Sequence, residues 1–486
     1  MYRVTAPNQA IPVPPADLPG TLGQLRAAGH RYRTVKQELR DNLLARMRTG
    51  EDRFPGIVGY DDTVLPEVER ALLAGHDMVL LGERGQGKTR LIRSLGALLD
   101  EWTPVIPGSV LNEHPMHPLT PASRAQVAEA GDDLAIGWLH RSMRYGEKLA
   151  TPDTSVGDLI GDVDPIRIAQ GRTLGDPETI HFGLVPRTNR GVFAVNELPD
   201  LAERIQVALL NVLEERDIQV RGYQLRLPLD LLLVASANPE DYTNRGRIIT
   251  PLKDRFGAEI RTHYPVDLEL ELALIRQEAD LVAEVPEHVL EVLARFARDV
   301  RESPSVDPRS GVSARFAIAA AETVAAAALR RAGLLAGSAP EGVRPEDAVA
   351  RVGDAVSVTS TLRGKVEFES GEEGREIEIL AHLLRTATAE TFRARLAGLD
   401  LSGFTALVGE GTVIETGELV SSAELLRQVG TVPGLAKALD RLGLGDAPTP
   451  EQAAAGVEFV LEGLHLTRRL GKDLTETGRT VYGGRG

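Results

Sequence analysis

Apolar residues along the chain fall into short unbroken runs, separated by stretches with helical spacing. MVLL (78–81), GVFAV (191–195) and LLLVASAN (231–238) are apolar at successive positions, and each is followed by polar or glycine residues. A strand without a polar face is buried on both sides, which predicts a parallel sheet covered by helices on each face. The covering helices are visible too. RLIRSLGALL (90–99) sets Leu91, Leu95, Leu98 and Leu99 on one side, and LAERIQVALLNVLEER (201–216) spaces Leu201, Ile205, Leu209, Val212 and Leu213 at helical intervals. WTPVIPG offers one more strand, and 107–190, mostly polar and rich in Gly, Pro and Asp, reads as a long insertion.

Residues 1–25 are Pro-rich and read as an extended arm, and RYRTVKQELRDNLLARMR (31–48) reads as a charged helix. Beyond about residue 268 the spacing is helical, in EHVLEVLARFARDV and SARFAIAAAETVAAAALRRAG, with a break at GSAPEGVRPED (337–347). An acidic stretch, KVEFESGEEGREIEI, reads as a solvated face. Helices are expected around 377–398 and 451–470, and GRTVYGGRG reads as a mobile tail. The expected division is an arm and helix over 1–50, an α/β core over 51–268, a helical region over 269–350 and a mostly helical extension over 351–486.

Composition narrows the class. The 486 residues are 42% hydrophobic and 26% charged, sufficient for two to four globular domains. No run is long and apolar enough for a membrane span, and the first residues lack the apolar core of a secretory signal. Cysteine is absent, so disulfides and thiolate metal sites are excluded and a cytoplasmic location is expected. The net charge of −15 argues against nucleic acid as a partner of the whole chain.

The densest chemistry is GERGQGKT, comprising Gly82, Glu83, Arg84, Gly85, Gln86, Gly87, Lys88 and Thr89. It fits the phosphate-loop pattern and lies between a strand and a helix, as that pattern requires. Glycines let backbone N–H groups curl around phosphate oxygens, and the following helix adds its positive end. Lys88 would neutralise the β- and γ-phosphates of ATP, and Thr89 would place its hydroxyl on Mg²⁺. The alternative is a glycine-rich turn that matches by chance.

Two further strands end in polar residues, where α/β sheets carry their function. At the end of GVFAV stand Asn196 and Glu197; Glu197 can orient and polarise an attacking water, or simply cap the next helix. At the end of LLLVASAN stands Asn238, which can hold the same water, touch the γ-phosphate, or cap a turn before Pro239. His114, His117 and His140 supply no complete metal site and read as solvated loop histidines. Asp158, Asp162 and Asp164 face either a partner or solvent.

These strand ends, in this order, resemble the AAA+ ATPases of the magnesium-chelatase I-subunit and MoxR branch. FPGIVGYDD (54–62), GLVPRTNRGVFAVNELPDL (183–201), ASANPED…ITPLKDRFG (235–257) and GVSAR (311–315) each look like a family segment, and the match covers roughly 54–335. The resemblance implies a P-loop AAA+ α/β core followed by an α-helical lid over 269–350. It implies that Gly82, Gly87, Lys88 and Thr89 form Walker A, that Asn196 and Glu197 occupy Walker B, and that Asn238 is sensor 1. It also implies that Arg255 is an arginine finger and Arg315 the sensor 2 arginine. Arg255 could instead pair with Asp254 or another surface acid, Arg245 and Arg247 are rivals for the finger, and Arg315 could be an ordinary helix-start arginine. A finger acts across a subunit boundary, so the resemblance implies a homo-oligomeric ring, usually a hexamer. In the family, the partner often carries a von Willebrand A-type domain.

The family has Asp where this chain has Asn196. An amide keeps one acceptor oxygen but loses the charge beside the metal, a cost of about 1–3 kcal/mol that predicts weaker Mg²⁺ binding and slower turnover. The first reading of function is a ring-forming ATPase that remodels a partner protein. The second is the motor subunit of a magnesium chelatase, and the third a nucleotide-binding scaffold with little turnover. An enhancer-binding transcription activator is disfavoured, because its Gly-Ala-Phe-Thr-Gly-Ala loop is missing.

Overall fold

The three unbroken apolar runs become the three central strands of one five-stranded parallel sheet. The computed structural model describes residues 12–163, 179–214, 218–220, 223–225, 227–238, 247–307, 311–336, 344–369, 371–372, 374–409, 413–475 and 479–483. It divides into two compact units, Met1–His263 and Tyr264–Gly486.

In the first unit α1 (Leu22–Ala27), α2 (Val35–Thr49) and α3 (Val64–Ala74) lead into β1 (Met78–Leu81) and α4 (Lys88–Ser94). Then come β2 (Trp102–Val105), β3 (Gly137–His140), β4 (Tyr145–Leu149) and β5 (Gly191–Asn196). The unit closes with α5 (Glu203–Glu214), β6 (Leu231–Ala237), α6 (Thr250–Arg255) and β7 (Ala258–Arg261). The sheet order is β7-β1-β6-β5-β4, with every pairing parallel. Successive residues of the buried strands point to opposite faces and build two cores. Val79, Leu81, Phe193, Val195, Leu233 and Ala235 pack with Ile205, Leu209 and Val212 of α5. Met78, Leu80, Val192, Ala194, Leu232 and Val234 pack with Leu39 and Leu43 of α2, Val68 and Leu72 of α3, and Leu91 and Ile92 of α4.

The edges depart from the sequence reading. β4, sequence YGEKL, lies inside the stretch read as a polar insertion, yet it pairs with β5 along its whole length. An edge strand is covered less completely, so it carries no apolar run. β2 exists but pairs antiparallel with β3 in a separate two-stranded sheet. The helix after the phosphate loop tightens into a 3₁₀ turn over Leu95–Leu98. The N-terminal arm is not wholly extended: Leu22 and Leu25 of α1 are buried against Leu134 and Ile136. The charged helix α2 buries one of its charges. Glu38 accepts both guanidinium arms of Arg144 at 2.6 and 2.7 Å, and Arg144 also donates to the Arg190 carbonyl at 2.8 Å.

The second unit contains α7 (Leu268–Glu278), α8 (Glu287–Glu302), α9 (Ala314–Ala336), α10 (Glu376–Arg395) and α11 (Pro450–Leu466). It also holds a small antiparallel sheet of β8 (Ile414–Thr416), β9 (Gly471–Leu474) and β10 (Thr480–Gly483), in the order β8-β10-β9. The tail read as mobile therefore contributes a paired strand, and its Tyr482 is buried. One hydrophobic core runs from Leu272 to Tyr482, so residues 269–350 and 351–486 pack as one body. Among the described residues, no helix is long and apolar enough to cross a membrane.

Candidate functional site

The carboxyl ends of β1, β5 and β6 meet around the glycine-rich loop. The chain leaves β1 at Leu81 and re-enters helix at Lys88, turning through Gly85 (φ 75°) and Gly87 (φ 77°). A side chain at either position would be strained in that left-handed region. Gly82 is required for a different reason: a Cβ there would lie 2.0 Å from Thr262 Oγ1 and 2.2 Å from Gln86 Oε1. The loop is fastened from outside. Thr262 Oγ1 donates to Gln86 Oε1 at 2.7 Å, and the Tyr60 hydroxyl donates to the Gln86 carbonyl. Burial holds the Tyr60 phenol protonated well above its ordinary range, so it acts as a fixed donor.

Lys88 is buried at the base of the loop. Its Nζ donates to the Gly82 carbonyl, to the Glu83 carbonyl at 2.8 Å and to Asn238 Oδ1 at 2.8 Å. The Asn238 Nδ2 donates to Glu197 Oε2 at 2.6 Å. The carboxylate of Glu197 therefore faces Asn238, and the 3₁₀ turn that follows it has no side-chain cap. Glu197 takes φ 57° and ψ 48°, a left-handed backbone that costs a branchless side chain of order 1 kcal/mol. Its N–H donates to Ser236 Oγ at 3.3 Å. Arg84 stands exposed on the loop.

Beside this chain of contacts lies a second one. The Thr89 hydroxyl donates to Asn196 Oδ1 at 3.2 Å, and Ser236 Oγ donates to the same oxygen at 3.2 Å. Asn196 Nδ2 donates to Glu147 Oε1 at 2.7 Å. Glu147, on β4, also accepts Arg93 Nε and Nη2 at 2.8 and 2.9 Å and the Tyr145 hydroxyl at 3.0 Å. Hydrogen bonding to Glu147 raises the Arg93 pKa above its ordinary value. Burial, then the charge of Glu147, raises that of Tyr145. Thr89 and Asn196 present oxygens alone, the donor type that suits a hard divalent cation such as Mg²⁺.

Other residues singled out in the sequence lie elsewhere. Arg255, at the end of α6, has a 44% exposed side chain that pairs with Glu214 at 2.5 Å and Asp254 at 3.8 Å. Both of these acids lie at the surface. Arg247 is exposed, and its carbonyl accepts Gln206 Nε2 at 3.2 Å; Arg245 falls outside the described residues. Arg315 belongs to the second unit, near the start of α9, where its N–H donates to Ser313 Oγ. His114 is not solvated. It is 2% exposed, with Nε2 3.1 Å from His30 Nε2, while Tyr32 stacks on His117. Burial, reinforced by Arg190, lowers the His114 pKa to about 2. Among the described residues no group of three metal-ligating side chains occurs. Asp158 caps its own turn by accepting the Ser155 N–H, Asp162 accepts the Val163 N–H, and Asp164 lies outside the described residues.

Sequence reasoning missed Tyr60, Ser236, Thr262 and Glu147. Tyr60 sits in a segment already singled out. Glu147 carries no signal in one dimension, because an isolated glutamate in a polar stretch has no pattern.

No family model matches the chain. It is 29% identical over 374 residues to the magnesium-chelatase 38 kDa subunit of Rhodobacter capsulatus, a match covering 75% of this chain and 93% of that protein. It is 27% identical over 257 residues to the magnesium-chelatase subunit ChlI of Pyropia yezoensis, covering 51% of this chain and 67% of that one. A solved structure of the BchI–BchD complex of magnesium chelatase contains a chain 23% identical to this one, covering 67% of this chain and 98% of that one at a TM-score of 0.35, too low to add to the sequence matches.

Proposed function

We propose, for a chain that belongs with the AAA+ ATPases of the magnesium-chelatase I-subunit branch, that it is the ATP-hydrolysing motor of a chelatase-type assembly. The sequence reading placed partner remodelling first and the chelatase motor second. The relatives favour the second, since those of Rhodobacter capsulatus and Pyropia yezoensis are magnesium-chelatase subunits. One observation carries the ATPase reading: Lys88, Asn238 and Glu197 form a hydrogen-bonded chain at the base of the glycine loop.

In this reading the loop N–H groups of residues 82–89 and the Lys88 ammonium bind the β- and γ-phosphates. Thr89 and Asn196 hold Mg²⁺, which when bound would offset phosphate charge. Glu197 orients the attacking water and accepts its proton, and Asn238 fixes the carboxylate that does so. Arg255 leaves Glu214 to complete the site of a neighbouring copy, which requires a homo-oligomeric ring, and Arg315 contributes as sensor 2. The client is a partner protein, with a von Willebrand A-type domain as the favoured kind.

The test is Glu197→Gln. Hydrolysis should fall by about 100-fold or more while ATP affinity stays within a few fold. Unchanged turnover would remove Glu197 from the reaction.

A further inference from the structure

Asn196 stands where a carboxylate is expected, and the structure shows what surrounds it. The amide of an asparagine has two ends of similar shape and opposite hydrogen-bonding character. Either end could face Thr89. Only the oxygen is of use to a cation, since the NH₂ group would present positive hydrogens to it. The Thr89 and Ser236 hydroxyls that touch Oδ1 can each donate or accept, so neither fixes the orientation. Glu147 can. An ionised carboxylate only accepts, and it takes the Asn196 NH₂ at 2.7 Å.

Glu147 is itself held. The Arg93 guanidinium grips both its oxygens at 2.8 and 2.9 Å, and Tyr145 donates to Oε2 at 3.0 Å. Arg93 lies on α4, four residues after Thr89, so one helix anchors both the hydroxyl and the clamp on the carboxylate. Arg93 also offsets the charge of Glu147. Because Arg93 offsets that charge only in part, Glu147, 2.7 Å from the Asn196 nitrogen, acts there both by orientation and by its remaining charge.

We propose that Glu147 is a positioning residue for the cation side of the nucleotide site, locking Asn196 with its oxygen toward Thr89. The inference rests on the ATPase reading above. An acid at 196 would need no such lock and would be repelled by Glu147. The pair thus replaces one carboxylate by a carboxylate–amide couple divided between β4 and β5.

The test measures Mn²⁺ binding in saturating ADP by electron paramagnetic resonance on full-length protein, alongside ATP turnover in Mg²⁺. Glu147→Ala should weaken Mn²⁺ binding by roughly 10–100-fold. Asn196→Asp alone sets two carboxylates together and should bind Mn²⁺ more weakly than the exchanged pair Asn196→Asp with Glu147→Gln. In the exchanged pair the Gln amide donates to the new acid, which adds the charge beside the cation that Asn196 lacks, so Mn²⁺ affinity should equal or exceed that of the wild type, a non-additivity expected of directly coupled residues. The exchange also guards against a merely structural loss, since an unfolded protein would not recover. Wild-type Mn²⁺ affinity in Glu147→Ala, or an Asn196→Asp variant equal to the exchanged pair, overturns the proposal and leaves the ATPase reading intact. Failure of the wild type to bind ADP overturns both.

Discussion

Asn238 spans Lys88 and Glu197: its oxygen accepts the ammonium at 2.8 Å and its nitrogen donates to the carboxylate at 2.6 Å. One amide therefore reports to the phosphate-binding cation and to the residue assigned to the water. Asn238→Ala frees the Glu197 carboxylate from its fixed direction but leaves the loop glycines untouched. Turnover should fall by about 100-fold, with ATP affinity changed only a few fold. Equal loss in both would mean that Asn238 supports the loop, not the reaction.

Arg255 pairs with Glu214 on the surface of its own unit, so its proposed action on a neighbour needs a test that separates copies. Arg255→Ala and Lys88→Ala should each abolish turnover alone. Mixed, they should recover part of it, because a Lys88→Ala subunit can lend its intact Arg255 to the nucleotide of an Arg255→Ala neighbour. No recovery on mixing, with the two variants shown to co-assemble, would contradict an action in trans.

Glu38 and Arg144 form a bidentate pair that is nearly solvent-free. Removing one partner leaves a buried charge without compensation, so Glu38→Ala should cost about 3–5 kcal/mol. Replacing both with apolar residues of similar volume should recover much of that loss. Thermal denaturation of the wild type, single and double variants measures it.

Acid should destabilise the chain through its buried histidines. Burial lowers the His288 pKa to about 3, and that of His114 to about 2, from an ordinary value near 6.5. The folded state then binds fewer protons than the unfolded one. The associated stability is complete above pH 6.5 and declines as pH falls toward those lower values, by up to about 1.4 kcal/mol per pH unit for each histidine. Asp299 opposes this. Burial, with Glu390 and Glu302 nearby, raises its pKa to about 6, so its unfavourable ionisation is relieved as pH falls from 6 toward 4. Melting at pH 7.5 and 5.0 should show a smaller acid loss in His288→Met and a larger one in Asp299→Asn.

The central strands were legible because burial on both faces leaves no room for polar residues, and GVFAV and LLLVASAN display that directly. The glycine loop was legible because its backbone demands Gly at Gly85 and Gly87, and Asn196, Glu197 and Asn238 because they follow the strands. Edge strands were not. YGEKL and AEIR are half-covered and short, and nothing in one dimension separates them from loop. The polar supports of the site were also hidden, since Thr262, Ser236 and Glu147 act through contacts between residues far apart in sequence. Glu38 misled for a related reason: a charge is expected outside unless its partner, 106 positions away, is known. His114 likewise reads as solvated until His30 and Tyr32 are placed against it.

The most direct measurement is ATP binding by calorimetry, paired with phosphate release, for the wild type and Lys88→Ala. The wild type should bind ATP and release phosphate, and Lys88→Ala should lose both. Wild-type protein that neither binds ATP nor releases phosphate, or a Lys88→Ala variant indistinguishable from it, would contradict the assignment of residues 82–89 as the phosphate site.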